Sequence, residues 1–253
     1  MTDTPLEFDE LDGIFEERAE HLSEHDLAAW TTLTPHDETI IQKLMGPGAK
    51  LLTGPRGSGK STLLRIAYFR QLKDRTNLPA YVNYAKSLAL EPMFHRQSNA
   101  IELFRQWLLA KIVVGLDETV DTLAIDKTSE FTKAAQTAKI LIRSLSIGDT
   151  NINHARLAPS DVVEHIEEIL NTAQLRRCVL LLDDAAHAFS PEQQREFFEV
   201  FRELRSRHVS PKAAVYPGIT SYSPFFHVGH EAETLEAGSL GLRVGEAEPR
   251  VEA

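Results

Sequence analysis

Two apolar signatures alternate along the chain: short continuous runs, and longer stretches with an apolar residue every three or four positions. The run Lys50-Leu51-Leu52-Thr53 predicts a buried strand, preceded by a helical stretch from about Pro35 to Leu44 and the turn Gly46-Pro47-Gly48. The segment Lys60 to Leu72 then places Leu63, Leu64, Ile66, Ala67 and Phe69 at near-helical spacing. Ala80-Tyr81-Val82-Asn83-Tyr84 has strand composition, behind a Pro79 expected to close the preceding loop. Three helical patterns follow at about 98–114, 129–146 and 160–173, and together they predict a helical insertion over about 98–173.

Cys178-Val179-Leu180-Leu181-Leu182 is continuously apolar and ends in Asp183-Asp184, the pattern of a strand buried on both faces with polar chemistry at its carboxyl end. Ser190-Pro191-Glu192-Gln193 supplies an N-cap, a proline at the first helical position and a capping-box glutamine for a helix carrying Phe197, Phe198, Phe201 and Leu204. Ala213 to Tyr216 reads as one more strand, stopped by Pro217-Gly218. Strands and helices alternating in this way predict an α/β fold of three α/β/α layers around a mainly parallel sheet.

Composition narrows the class without naming the chemistry. The 253 residues are 42% hydrophobic, with a single Cys178 that has no partner for a disulfide within the chain, which points to a cytoplasmic location. No apolar run approaches the roughly 18 residues of a membrane span, and the acidic start has neither a basic n-region nor an apolar h-region. The net charge of −10 is unevenly spread: residues 1–40 carry −11, residues 231–253 carry −4, and residues 41–230 carry +5. DNA is therefore a candidate partner only through a local basic face on the middle segment, and ordinary solvated surface charge explains the same numbers. The expected organisation is an acidic helical appendage over 1–34, a core over 35–230, and a short tail over 231–253 with Leu240 to Val244 as a candidate last strand.

The sharpest chemical signal is Gly54-Pro55-Arg56-Gly57-Ser58-Gly59-Lys60-Ser61, which fits G-x-x-x-x-G-K-[ST] and sits between a predicted strand and a predicted helix. A polyphosphate needs backbone N–H groups converging on one concavity without an obstructing side chain, which Gly54, Gly57 and Gly59 permit. The helix that follows, beginning with Lys60, Ser61 and Thr62, adds its unsatisfied N–H groups and positive dipole end. Lys60 is the candidate cation for the β- and γ-phosphates, and the Ser61 hydroxyl the candidate Mg²⁺ ligand. At the acidic strand end, Asp183 is placed to hold Mg²⁺ and Asp184 to polarise the attacking water. The absence of an Asn-Lys-x-Asp motif favours ATP over GTP.

These two motifs, with a further strand predicted after the acidic one, resemble the additional-strand class of P-loop ATPases. Leu-Leu-Leu-Asp-Asp-Ala-Ala-His at 180–187 and the polar strand end at Tyr216 to Ser221 look most like AAA+ ATPases of the origin-recognition type, with STAND signalling ATPases second. The resemblance covers about residues 35–230. It implies a sensor hydroxyl beyond the last core strand, for which Thr220 and Ser221 are the candidates, although either could equally satisfy turn backbone after Pro217-Gly218. It also implies an arginine finger among Arg202, Arg205 and Arg207, where solvated helix arginines are the plainer reading.

Two departures accompany the match. The second carboxylate is Asp where hydrolysing relatives more often carry Glu, and only 23 residues follow His230, too few for the helical lid such modules usually have, so that either the lid is absent or the chain is a truncated form of a longer one. The expectation is an open site with slow or partner-dependent turnover. The function expected is Mg-ATP binding and hydrolysis, used as a conformational switch or motor on a protein, nucleic-acid or homo-oligomeric partner, with no membrane involved. A nucleotide-dependent scaffold with little hydrolysis and a P-loop kinase are the alternatives. His187, His227 and His230 match no metal-ligand spacing, and the buried setting of Cys178 argues against a nucleophile.

Overall fold

In the computed structural model, which describes residues 22–84, 99–147, 156–184, 190–238 and 241–242, the buried apolar runs form one parallel sheet. Its strands are β2 (Lys50–Thr53), β3 (Leu78–Asn83), β4 (Cys178–Asp183), β5 (Val209–Val215) and β6 (Glu233–Glu236), in the order β3-β4-β5-β2-β6. β5 lies between β2 and β4, so the two motif-bearing strands are not neighbours. A separate antiparallel pair joins β1 (Thr31–Thr32) to β7 (Gly241–Leu242).

Both faces of the sheet are covered, as parallel sheets require. On one face Leu52, Val179, Leu181, Ala214 and Leu235 pack with Ile40, Ile41 and Leu44 of α2 (Pro35–Met45) and with Leu63, Leu64 and Ala67 of α3 (Lys60–Asp74). On the other, Leu51, Ala80, Val82, Leu180, Leu182, Ala213 and Val215 meet four helices. These are α4 (Ala100–Leu123), α5 (Ser129–Ser146), α6 (Pro159–Ala173) and α7 (Pro191–Leu204). The fold is thus the three-layer α/β/α arrangement of P-loop NTPases, and the inserted helices α4 to α6 all join one layer. α4 lies close on β3: a Cβ at Gly115 would stand 3.0 Å from the Tyr81 carbonyl oxygen and 3.1 Å from a Val82 methyl. The short helix α1 (Glu24–Trp30) docks on α3 through buried Leu27 and a Lys73–Glu24 ion pair of 2.6 Å. Residues 1–21 of the expected acidic helical appendage lie outside the described residues.

Local chemistry explains the boundaries. Ser190 caps α7 with the expected capping box, and Thr34 does the same for α2 with Asp37. α4 runs nine residues past the expected 114 because Asp117, which interrupts its apolar pattern, is buried against Lys127 and Lys139. Pro79 lies within β3 instead of closing a loop before it. β3 is an edge strand, where a missing N–H costs no ladder bond. β5 begins at Val209 rather than Ala213, because Lys212 is fully buried with its Nζ donating to the carbonyls of Gly46 and Gly48. Burial, with Lys50 and Arg177 nearby, draws the Lys212 pKa down to about 7.

The last strand of the sheet is β6, in the segment expected to be tail, whereas Gly241–Leu242 from the Leu240–Val244 run pairs with β1 outside the sheet. β6 is hard to see in sequence because only Leu235 of its four residues is buried. It is held to β2 and α2 by Glu233, which accepts from Lys50 at 2.6 Å and Lys43 at 2.8 Å. Hydrogen bonds from the two lysines hold the Glu233 pKa at about 2, below its ordinary 4.5. The bridge therefore stabilises the fold above about pH 4.5 and loses that contribution as the pH falls toward 2. Glu233→Gln is expected to cost about 0.5–1 kcal/mol at neutral pH, discounted for an exposed pair. Thermal melts should show the gap to the parent protein closing as the pH approaches 2.

No helix among the described residues is long and apolar enough to cross a membrane. Cys178 is buried and its thiol pKa is pushed up by that burial, which keeps it unreactive.

Candidate functional site

The carboxyl ends of β2, β3, β4 and β5 share one edge of the sheet, the place where open parallel sheets collect polar chemistry. β2 leads into the loop Gly54–Gly59, and α3 starts at Lys60. Gly59, the N-cap of α3, is left-handed with φ 78°, and Gly57 has φ 82°, conformations that side chains disfavour. A Cβ at Gly54 would come within 2.5 Å of the Ser58 hydroxyl. Ser23, Thr34, Thr128 and Ser190 cap α1, α2, α5 and α7 with their hydroxyls, whereas no side chain occupies the first N–H groups of α3. These amides remain available for an anion. Pro55 and Arg56 form the exposed rim of the loop, Ser58 is buried and Thr62 is half-buried in the first turn of α3.

Lys60 is only 4% exposed. Its Nζ donates to the carbonyls of Gly54 at 2.7 Å and Pro55 at 2.8 Å, and lies 3.9 Å from the centre of the Tyr216 ring. Burial lowers the Lys60 pKa, while the carboxylates of Asp183 and Asp184 oppose that shift.

Asp183, the last residue of β4, is buried. It accepts from the Tyr81 hydroxyl at 2.7 Å and from the Asp184 amide at 2.9 Å, and the nearby Ser61 hydroxyl favours its ionised form. Burial, reinforced by the adjacent Asp184, pushes its pKa up to about 6 despite these bonds. A buried carboxylate destabilised as an anion, with the Ser61 hydroxyl near it, is a set of hard oxygen donors that suits Mg²⁺. Asp184 takes a left-handed backbone with φ 58°, a conformation Asp adopts more readily than Glu. That accounts for the shorter acid here. Its carboxylate accepts from the Tyr216 hydroxyl at 3.3 Å.

The loop Gly54 to Ser61 and the pair Asp183 and Asp184 lie at the same edge of the sheet, and the other candidates are placed differently. The Thr220 hydroxyl is engaged with backbone: it accepts from the Tyr216 amide at 3.0 Å and donates to the Tyr216 carbonyl at 2.9 Å. The amide of Ser221 donates to the Gln194 side chain at 2.6 Å. Arg202 and Arg205 pair with Glu199 and Glu231 near the start of β5, at the opposite edge of the sheet from the loop, and Arg207 is exposed nearby. His187 lies outside the described residues, and no group of three or more candidate ligands gathers among the described ones.

Two tyrosines escaped the sequence reading. Tyr81 and Tyr216 contact the acidic pair only because the sheet order brings the ends of β3 and β5 alongside β4. The available signal was a polar-tipped aromatic at or near the carboxyl end of a parallel strand.

The sequence profile of the AAA ATPase domain matches residues 42–211, from within α2 to the beginning of β5. The chain belongs to this family. No curated protein matches the sequence. An AAA ATPase domain is a nucleotide-binding ATPase module. In this AAA module the matched span holds the P-loop and both aspartates but stops short of Tyr216 and β6.

Proposed function

We propose that the chain binds Mg-ATP between the 54–61 loop and the carboxyl end of β4, hydrolyses it slowly or when a partner stimulates it, and works as a conformational switch. The observation that carries this reading is that Lys60, at the uncapped start of α3, and Asp184, beside Asp183 at the end of β4, meet on the same Tyr216 side chain, at 3.9 Å from its ring centre and 3.3 Å from its hydroxyl, which brings the two motifs together. Lys60 and the amides of Gly57 to Ser61 would hold the phosphates, with Arg56 and Thr62 at the margin of the same cradle. Ser61 and Asp183 would hold Mg²⁺, whose charge neutralises the phosphate oxygens. Asp184 would take a proton from, and orient, the attacking water. Within the AAA class the origin-recognition type is the first assignment and the STAND type the second, on the strength of residues 180–187 and the strand end at 216–221.

Equilibrium titration tests the ligand. Mg-ATP should bind, Mg-GTP should bind at least about tenfold more weakly, and chelating the metal should weaken ATP substantially. Absence of ATP binding in the folded protein would refute the proposal. Equal affinity for both nucleotides would remove the adenine preference.

A further inference from the structure

One side chain joins the two halves of the site. Tyr216 follows directly on β5, its ring face lies 3.9 Å from the Lys60 ammonium, and its hydroxyl donates to Asp184 at 3.3 Å. The ammonium also donates to the carbonyls of Gly54 and Pro55 and, at 3.5 Å, to the Ser58 hydroxyl, so the cation that must meet a phosphate is satisfied within the protein and covered by the phenol. The Tyr216 backbone, by contrast, is anchored. Thr220 holds both its amide and its carbonyl, and the amides of Ile219 and Thr220 also donate to that carbonyl at 3.4 and 3.2 Å. An anchored backbone with a side chain resting on a ligand-binding cation leaves rotation about the side-chain torsions as the way to uncover Lys60.

We infer that Tyr216 is a cover and positioning residue of the nucleotide site: its ring occupies the face of Lys60 that a terminal phosphate would take, and its hydroxyl orients Asp184 for the attacking water. The inference rests on the Mg-ATP reading above. It reassigns the hydroxyl of Thr220, which serves by holding the Tyr216 backbone. Burial and the two carboxylates push the phenol pKa further up, so it remains a hydrogen-bond donor throughout the neutral range. The two tasks separate chemically. The cover depends on the ring, a cation–π contact, and the orienting depends on the hydroxyl.

Tyr216→Phe and Tyr216→Ala distinguish them, with nucleotide affinity from equilibrium titration of Mg-ADP and Mg-ATP and with kcat and KM from steady-state turnover. Tyr216→Ala removes the competitor for Lys60 and should tighten both nucleotides about two- to fivefold while lowering kcat about tenfold. Tyr216→Phe keeps the ring, so its affinity should stay within about twofold of the parent while kcat falls as in the alanine variant. A purely structural tyrosine would lower melting temperature and both kinetic constants together, without tighter binding.

Weaker or unchanged binding by Tyr216→Ala, alongside normal binding by the parent protein, would overturn the cover. Full kcat in Tyr216→Phe would overturn the positioning role. Parent protein that binds no Mg-ATP would instead remove the site reading itself. The binding arm needs no turnover, and the nearly isosteric phenylalanine keeps the test interpretable should the alanine variant fail to fold.

Discussion

Lys60→Ala is expected to abolish measurable Mg-ATP binding while leaving the fold intact. The ammonium is the one cationic side chain at the mouth of α3 whose position the loop itself fixes, through the Gly54 and Pro55 carbonyls. Charge-assisted contacts to phosphate of this kind contribute about 2–4 kcal/mol, or roughly thirty- to a thousandfold in affinity. The same substitution removes a buried cation whose pKa is already lowered by desolvation, so its cost to folding should be small. Calorimetric titration together with a thermal melt checks both halves. Unchanged ATP affinity in a folded Lys60→Ala protein would remove the P-loop from the account.

Asp184→Asn is the second large effect. Its carboxylate is met by the Tyr216 hydroxyl, whereas that of Asp183 is held by the Tyr81 hydroxyl and the Asp184 amide, an arrangement in which Asp184 suits water activation more than metal holding. Asparagine tolerates the left-handed backbone at φ 58° as well as aspartate does, so the variant changes basicity with little strain. Mg-ATP affinity should stay within a few-fold of the parent, and turnover should fall about 10²- to 10⁴-fold. Asp184→Glu is expected to be a poorer replacement than its chemistry suggests, because glutamate fits that backbone less well. Single-turnover measurements separate these outcomes from defects in product release.

How much of this was legible in the sequence depends on whether the residues act within one segment or across several. Gly54 to Ser61 form one contiguous loop, so their spacing alone encoded the cradle. Asp183 and Asp184 were legible as the polar end of a strand that is apolar at every preceding position. Tyr81 and Tyr216 were not, since their meeting with the aspartates depends on β3 and β5 flanking β4, an order that local pattern does not determine. Pro79 and Lys212 each violate a strand rule and are each explained by tertiary context. One sits on an edge, and the other reaches the carbonyls at the end of α2 and its following turn. β6 lacks any alternation because it is exposed on most of its length, and its place in the sheet comes from ladder bonds and from Glu233.

The departure at position 184 illustrates how local geometry reframes a motif comparison. An aspartate where relatives more often have glutamate reads in sequence as a shortened reach, whereas the structure pairs it with a backbone that favours it and with a phenol that holds it. Tyr216, which meets both Lys60 and Asp184, lies beyond the span matched by the family profile.

Steady-state phosphate release from Mg-ATP by the purified chain, measured beside Asp184→Asn and with DNA present or withheld, tests the central claim most directly. The account predicts a low but saturable rate in the parent protein that disappears in the variant while nucleotide binding persists. Turnover that survives Asp184→Asn unchanged would contradict it.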